Sequence, residues 1–177
     1  MNFELLETER LFLRKLTPAD FNYLFENLPQ EEIMRFLGHR STEEFEKEKA
    51  KYEGGYSTHN RSFCYFQLLD KASEKVIGGC GFHNWFPEHK RSEFGYRMLD
   101  ETFRSKGLMS EAADAILRYG FENVELHRIE ALVGKSNQPS LRIMEKFGFQ
   151  YEGLLREHFF INGVFEDSLM FSLLVND

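Results

Sequence analysis

The sequence predicts a mixed α/β domain in which a largely antiparallel front half meets a strand–helix–strand unit. Three observations carry that reading. Segments such as RLFLRKL, SFCYFQLLD and KVIGGCGFHNW alternate or run apolar over strand lengths and are separated by turn residues. Two later segments, SEAADAILRYGFENV and NQPSLRIMEKF, carry helical periodicity and capping signals. Between those helices lies one short strand pattern, HRIEALV, which places a βα unit inside an otherwise hairpin-built sheet.

The elements follow in order. Arg10 to Leu16 alternates as a strand. Thr17 then offers an N-cap and Pro18 a first helical position, so a helix is predicted to about Asn27. STEEFEKEKAKYEGGY begins with a cap at Ser41 or Thr42, carries Glu/Lys pairs at helical spacing, and weakens at Gly54 and Gly55; this helix is expected to be mostly exposed. Ser62–Asp70 and Lys75–Trp85 read as a hairpin, and Ser92–Leu99 as a third strand with Gly95 marking a bulge or a close backbone approach. In the next helix Ala112, Ile116 and Gly120 lie beside Ala113, Leu117 and Phe121, a face small enough to pack closely on a sheet. After the strand His127–Val133, a helix starts at Ser136 or Asn137 with Pro139 in its first turn and stops at Gly148. Two last strands flank Asn162-Gly163, a strong hairpin signal.

The 177 residues fit one domain, 1–177, with no repeat, low-complexity tract or linker, and that length buries a core without disulfides or metals. The 22 basic against 29 acidic side chains give −7, which argues against a general nucleic-acid or membrane-surface binder. Nineteen Phe point to an aromatic-rich core or a lined groove. Cys64 and Cys80 are expected to be buried thiols rather than a disulfide. The acidic start MNFELLETER does not fit a secretory signal, and no apolar run approaches the roughly 20 residues of a membrane span, so a cytoplasmic protein is expected.

The chemistry centres on FRSKGLMSEA, Phe103 to Ala112. A glycine turn with Arg104 and Lys106, feeding a helix, offers unpaired N–H groups and the positive end of a helix dipole to an anion. It is neither a Walker A loop nor GxGxxG. Alone it reads as well as a solvated turn with two incidental basic residues. About thirty residues on, Asn137 and Ser140 stand at a second helix start, where capping explains Asn137 well and Ser140 in part.

Taken together, FGYRML, RSKGLMSEA, HRIEALV, NQPSLRIMEKFGFQYEG and NGVFEDSLMFSLL resemble the GNAT superfamily of acyl-CoA N-acetyltransferases. With ETERLFLRKLTPAD they resemble its RimJ/RimL-type branch, which acetylates ribosomal-protein amino termini. The resemblance runs from about Thr8 to Leu174. It implies a mostly antiparallel, twisted sheet, splayed at the cofactor site and flanked by helices. It implies acetyl-CoA as cosubstrate, no metal, and an amine acceptor that is a protein N-terminus, a peptide or a small amine. A homodimer is expected at the family level only.

Residue by residue, the resemblance implies that the backbone of Arg104, Ser105, Lys106, Gly107, Leu108, Met109 and Ser110 binds the pyrophosphate, with Met109 where the family has a small residue. Gly95 would be the bulge that splays the sheet, and Met98 and Leu99 would bond the pantetheine amides as another strand would. Asn137 matches the pantetheine-binding Asn; Arg142 and Lys146 are candidates for the adenosine phosphates, or simply solvated helix face. Many members have a Tyr where this chain has Met144, so Ser140 is assigned to stabilise or protonate the departing thiolate.

The acceptor amine arrives protonated and needs a base. Glu93 is the first candidate: with the bulge beyond it, alternation puts it on the face of its strand shared with Gly95, where an aromatic-lined groove would raise its pKa, and an exposed edge-strand charge is the alternative for it. His83 is the second. A cysteine nucleophile or a His83/His89/Glu88 zinc site is the poorer reading. Glu31–Tyr56 and Glu157–Glu166, rich in Phe and Glu, suggest a groove for a cationic or amino-terminal substrate. Polyamine or antibiotic acetylation remains an alternative reading, as does a non-catalytic acyl-CoA-binding module.

Overall fold

A computed structural model describes residues 3–55 and 63–177. Its elements are β1 (Leu5–Glu7), β2 (Leu11–Leu16), α1 (Pro18–Asn27), α2 (Gln30–Leu37), α3 (Thr42–Glu53), β3 (Cys64–Asp70), β4 (Val76–Phe86), β5 (Arg91–Met98), α4 (Leu108–Glu122), β6 (Arg128–Gly134), α5 (Gln138–Lys146), β7 (Gln150–Ile161) and β8 (Val164–Leu174). Short 3₁₀ turns precede β5 and α4. Ser62 and Tyr56, which the sequence reading placed in a strand and at the end of a groove segment, lie outside the described residues.

Local signals explain most boundaries. The Asp20 carboxylate accepts from both the Thr17 N–H and the Thr17 hydroxyl at 2.7 Å, closing the N-terminus of α1. The Ser41 hydroxyl accepts from the Glu44 N–H at 3.2 Å and starts α3. Asn162 and Gly163, with φ of 50° and 83°, form the primed turn between β7 and β8. Two elements had no individual forecast: β1, too short to show periodicity, and α2, whose N-cap is Pro29.

The sheet order is β1-β2-β3-β4-β5-β6-β8-β7, and every neighbouring pair is antiparallel except β5–β6. That parallel pair holds only from Arg91 to Glu93 against Arg128 to Glu130. Beyond it β5 continues to Met98 on β4, while β6 continues to Gly134 on β8. The sheet therefore opens between β5 and β6. Gly95 is not the cause: it stays in regular register with Gly81. The irregularity lies in β4, between His83 and Phe86, where Asn84 has φ 50°. Gly95 serves instead the close approach that was the alternative for it, because a Cβ there would meet the His83 Cε1 at 2.6 Å.

One core lies between the sheet and α4, with Phe66, Phe82, Ile116 and Ile129 nearly or wholly buried. The forecast small face of α4 makes this contact: Ala112, Ala113, Ile116, Leu117 and Gly120 are buried and Phe121 is half-buried. A second cluster joins Leu16 to Phe21, Leu24, Ile33, Leu37 and Phe45 on α1–α3. Among the described residues no helix is long and apolar enough to cross a membrane.

Candidate active site

Three features make up the candidate site, and two of them, a slot and a cavity, meet where β5 parts from β6. The first is the turn before α4. Ser105 and Gly107 have φ of 59° and 77°, so the backbone curls in the left-handed region ahead of the helix. The Glu111 N–H bonds the Gly107 carbonyl, and the N–H groups from Ser105 through Ser110 donate to no protein acceptor among the described residues. Such a run of free donors at a helix start is an anion cradle.

The turn is clamped from the connection between β1 and β2. Glu111 accepts from the Thr8 hydroxyl at 2.6 Å and from the Arg10 N–H and Nε, each at 2.7 Å; Arg10 Nη1 reaches the Lys106 carbonyl at 2.9 Å. Burial raises the Glu111 pKa, but these partners outweigh it and hold the carboxyl below its ordinary value. Arg10, Thr8 and Glu111 were not singled out from the sequence, because nothing local links residues a hundred positions apart. Arg104 pairs with Glu101 at 3.0 Å, and the Lys106 ammonium lies over the Phe103 ring.

The second feature is a slot of about 150 Å³ in the opening, lined by Glu93, Phe94, Gly95, Tyr96, Asn137, Ser140, Met144 and residues of β6. Asn137 caps α5 by accepting from the Ser140 N–H at 3.2 Å, and Ser140 is 9% exposed. Met98 reaches the end of the β4 ladder, but the Leu99 N–H is committed to the Ile77 carbonyl at 2.9 Å and is not available to a ligand. Arg142 and Lys146 are exposed; Lys146 shares a groove with Ser110, while Arg142 lines none of these cavities.

The sequence reading missed Tyr96. Its hydroxyl is buried and meets no hydrogen-bond geometry. Burial raises its pKa, and the nearby Ser140 hydroxyl tempers the rise, so it stands as a neutral O–H donor. The available signal was the hydroxyl two positions before Met98 on the strand that borders the slot.

The third feature is a cavity of about 580 Å³ walled by Phe21, Phe63, Tyr65, Phe82, Glu48 and His83, among others. Its aromatic walls match the expected Phe-lined groove. The acidic excess does not reach it: of the glutamates on α2 and α3 only Glu48 lines it, beside Lys51, Arg97 and His39. The late hairpin approaches through His158, whose charge acts on Glu93. Among the described residues, Gly95 and Tyr96 alone line both the cavity and the slot.

Glu93 sits beside this junction, its side chain 15% exposed, with Oε1 3.3 Å from His83 Nε2 and Oε2 accepting from Asn84 Nδ2 at 2.6 Å. Burial pushes its pKa up, but His83, Asn84 and the charge on His158 outweigh burial. The carboxyl is held below its ordinary value, which corrects the expected rise. Cys64 and Cys80 are free, buried thiols; burial raises Cys64 to about 11 and Cys80 further above its ordinary value, so neither is an activated nucleophile.

A turn of free N–H groups, a narrow slot at a splayed sheet and a cavity that shares Gly95 and Tyr96 with the slot are the arrangement a group transferase with a long anionic donor requires. Residues 10–150 match the acetyltransferase (GNAT) domain, and the chain belongs to that family. It is 31% identical over 173 residues to the uncharacterized N-acetyltransferase YoaA of Bacillus subtilis, covering 97% of each chain. It is 27% identical over 124 residues to the ribosomal-protein-serine acetyltransferase of Escherichia coli, covering 70% of this chain and 68% of that one. A GNAT-family acetyltransferase structure from Bacillus anthracis superposes with a TM-score of 0.69 at 27% identity, covering 98% of this chain and 100% of the other. The protein is thus an acetyl-CoA-dependent N-acetyltransferase.

Proposed function

We propose that the chain acetylates a primary amine, either a protein N-terminal α-amine as in the RimJ/RimL-type branch or a small-molecule amine, by direct attack in a ternary complex. The observation that carries this reading is the meeting of slot and cavity at Gly95 and Tyr96. A donor in the slot and an amine in the cavity have one common wall, so no covalent relay through the protein is needed.

The residues present fit acetyl-CoA. The free N–H groups from Ser105 to Ser110 suit a pyrophosphate, with Arg104 and Lys106 adding charge. Met98 and Asn137 suit the pantetheine arm, and Arg142 a more distant phosphate. The buried, unbonded Tyr96 hydroxyl beside Ser140 suits the sulfur. When bound, acetyl-CoA supplies an acetyl group activated as a thioester. Ser140 and Tyr96 then hold an O–H at the departing sulfur. Glu93 provides the negative charge that favours removal of the amine proton, a task that matters because a lysine-like amine has a pKa of about 10.4 and an α-amine about 7.7–8.0.

The test joins binding to turnover. Acetyl-CoA is expected to raise the melting temperature by linkage, and Gly107→Glu to abolish the shift by placing a strained anion in the cradle. A panel of free-amine peptides, polyamines and amino sugars, followed by thiol release, then identifies the acceptor. No shift in well-folded wild type refutes the cofactor assignment; a shift with no turnover on any amine favours an acyl-CoA-binding module.

A further inference from the structure

We propose that His83 is the base that takes the amine's proton and that Glu93 acts through it; the proposal rests on the amine-acetyltransferase reading above. Glu93 has both carboxylate oxygens engaged, Oε1 3.3 Å from His83 Nε2 and Oε2 bonded to Asn84 at 2.6 Å. It lines the slot but not the acceptor cavity, whereas His83 lines the cavity. The His83 ring also lies over Gly95, one of the two residues common to both spaces. A Cβ at Gly95 would stand 2.6 Å from Cε1 and 3.1 Å from Nδ1, so the nitrogen turned away from Glu93 borders the junction. Nδ1 has no hydrogen-bond partner among the described residues.

The backbone is shaped for this pair. In a regular strand consecutive side chains point to opposite faces. His83 and Asn84 are consecutive, yet both reach Glu93, because β4 is irregular between His83 and Phe86 and Asn84 adopts φ 50°. His83 is the cross-strand partner of Glu93 in the β4–β5 ladder, and Gly95 leaves room for its ring. The irregularity therefore gives one carboxylate two donors, and the imidazole is held with one nitrogen toward the carboxylate and the other toward the cavity. The other charged and titratable groups around the pair are Glu48 and Lys51 of α3, His39, Tyr65 of β3, Tyr96 and Arg97 of β5, and His158 of β7.

The proton ledger closes. The ammonium proton passes to His83 Nδ1 and on to solvent, Glu93 stabilising the imidazolium. The neutral nitrogen forms the C–N bond and passes its second proton to His83 Nδ1, free again once the first has gone to solvent. The C–S bond breaks with its electron pair on sulfur, which takes a proton from Tyr96 or Ser140, and that hydroxyl is reprotonated from solvent.

The test uses the full chain and the best acceptor among a free-amine peptide and spermidine. His83→Ala is expected to lower kcat about 100-fold with the KM for acetyl-CoA within about twofold, to lose the acid limb of the kcat/KM profile, and to regain about tenfold with free imidazole. His83→Gln, which keeps the side-chain bulk, should match it without the rescue. Glu93→Gln should cost about tenfold and not respond to imidazole. Independently of turnover, ring ¹⁵N spectra should show the Nε2–H tautomer of His83 in wild type and its loss in Glu93→Gln. Activity of His83→Ala within threefold of wild type, or a dominant Nδ1–H tautomer in wild type, overturns the proposal. Failure of the broader reading looks different: wild type then shows no melting shift with acetyl-CoA, whatever the state of His83.

Discussion

Gly120→Ala tests the contact that sets the distance between α4 and the sheet, and with it the position of the turn that leads into α4. A Cβ at Gly120 would lie 2.4 Å from Phe82 Cζ and 2.9 Å from Cε2. Phe82 is 2% exposed and packs near Phe94, ring centroids 6.0 Å apart, so its ring has little room to retreat. Replacing a helical glycine by alanine gains about 0.8–1.0 kcal/mol of helix propensity. Overpacking a well-filled core costs about 1–3 kcal/mol, and a boxed ring puts this site toward the upper part of that range. The net loss is then about 1–2 kcal/mol. For a domain of this size each kcal/mol moves Tm by about 2–4 °C, so Tm should fall by roughly 2–8 °C in calorimetry. Pushing α4 outward also shifts the Ser105–Ser110 donors that lead into it, so acetyl-CoA affinity should fall as well. Gly134→Ala is the control: a Cβ there meets nothing within 4 Å, and its Tm should stay within about a degree. A Gly120→Ala variant that melts higher than wild type would show that the helix–sheet distance is not set by this contact.

Glu111→Ala removes the acceptor of the Thr8 and Arg10 bonds that hold the anion turn; acetyl-CoA affinity measured by calorimetry should drop about tenfold, with a smaller change in stability because Arg10 is largely exposed. The Glu93 carboxyl is held below its ordinary value in the fold, so its contribution to stability is present above the ordinary glutamate value and is lost as pH falls through the folded one. Urea unfolding of wild type and Glu93→Gln should therefore differ at pH 6, and the difference should shrink as the pH falls below the ordinary glutamate range. Cys64, raised to about 11, and the fully buried Cys80 should react with a disulfide reagent at pH 8 only on the timescale of unfolding; rapid native labelling would contradict the buried positions.

The parts of this molecule legible in its sequence are those fixed by neighbours along the chain. Thr17-Pro18, Ser41, Asn137 with Pro139, and Asn162-Gly163 each carry their own capping or turn chemistry, and each falls where that chemistry puts it. The small face of α4 was legible for the same reason, since period and size are local properties. The anion turn was legible as glycine, basic residues and a helix start, but not its clamp, which joins Arg10 to Glu111 across the sheet. Gly95 shows the limit most clearly. A glycine in a strand signals that something needs the space of a Cβ, and that much was sound; whether the need is a bulge or a neighbouring ring depends on the facing strand. Here the ring is His83, and the irregularity that turns His83 and Asn84 toward Glu93 sits in β4.

The same reasoning explains why proton transfer was harder to read than cofactor binding. The proposed pyrophosphate site is made of consecutive backbone groups, so it is a stretch of sequence. The groups proposed to react come from different strands and a helix: Glu93 and Tyr96 on β5, His83 on β4, Ser140 on α5. They meet because β5 leaves β6 after Glu93 while keeping its register with β4. Had the parallel ladder continued, β6 backbone would fill the opening where Tyr96 and Ser140 now share one slot. The chemistry thus depends on where a strand pairing stops. The ladder ends at Glu93, and Gly95 and Tyr96 just beyond it form the wall common to slot and cavity, from whose two sides the proposed donor and acceptor would approach.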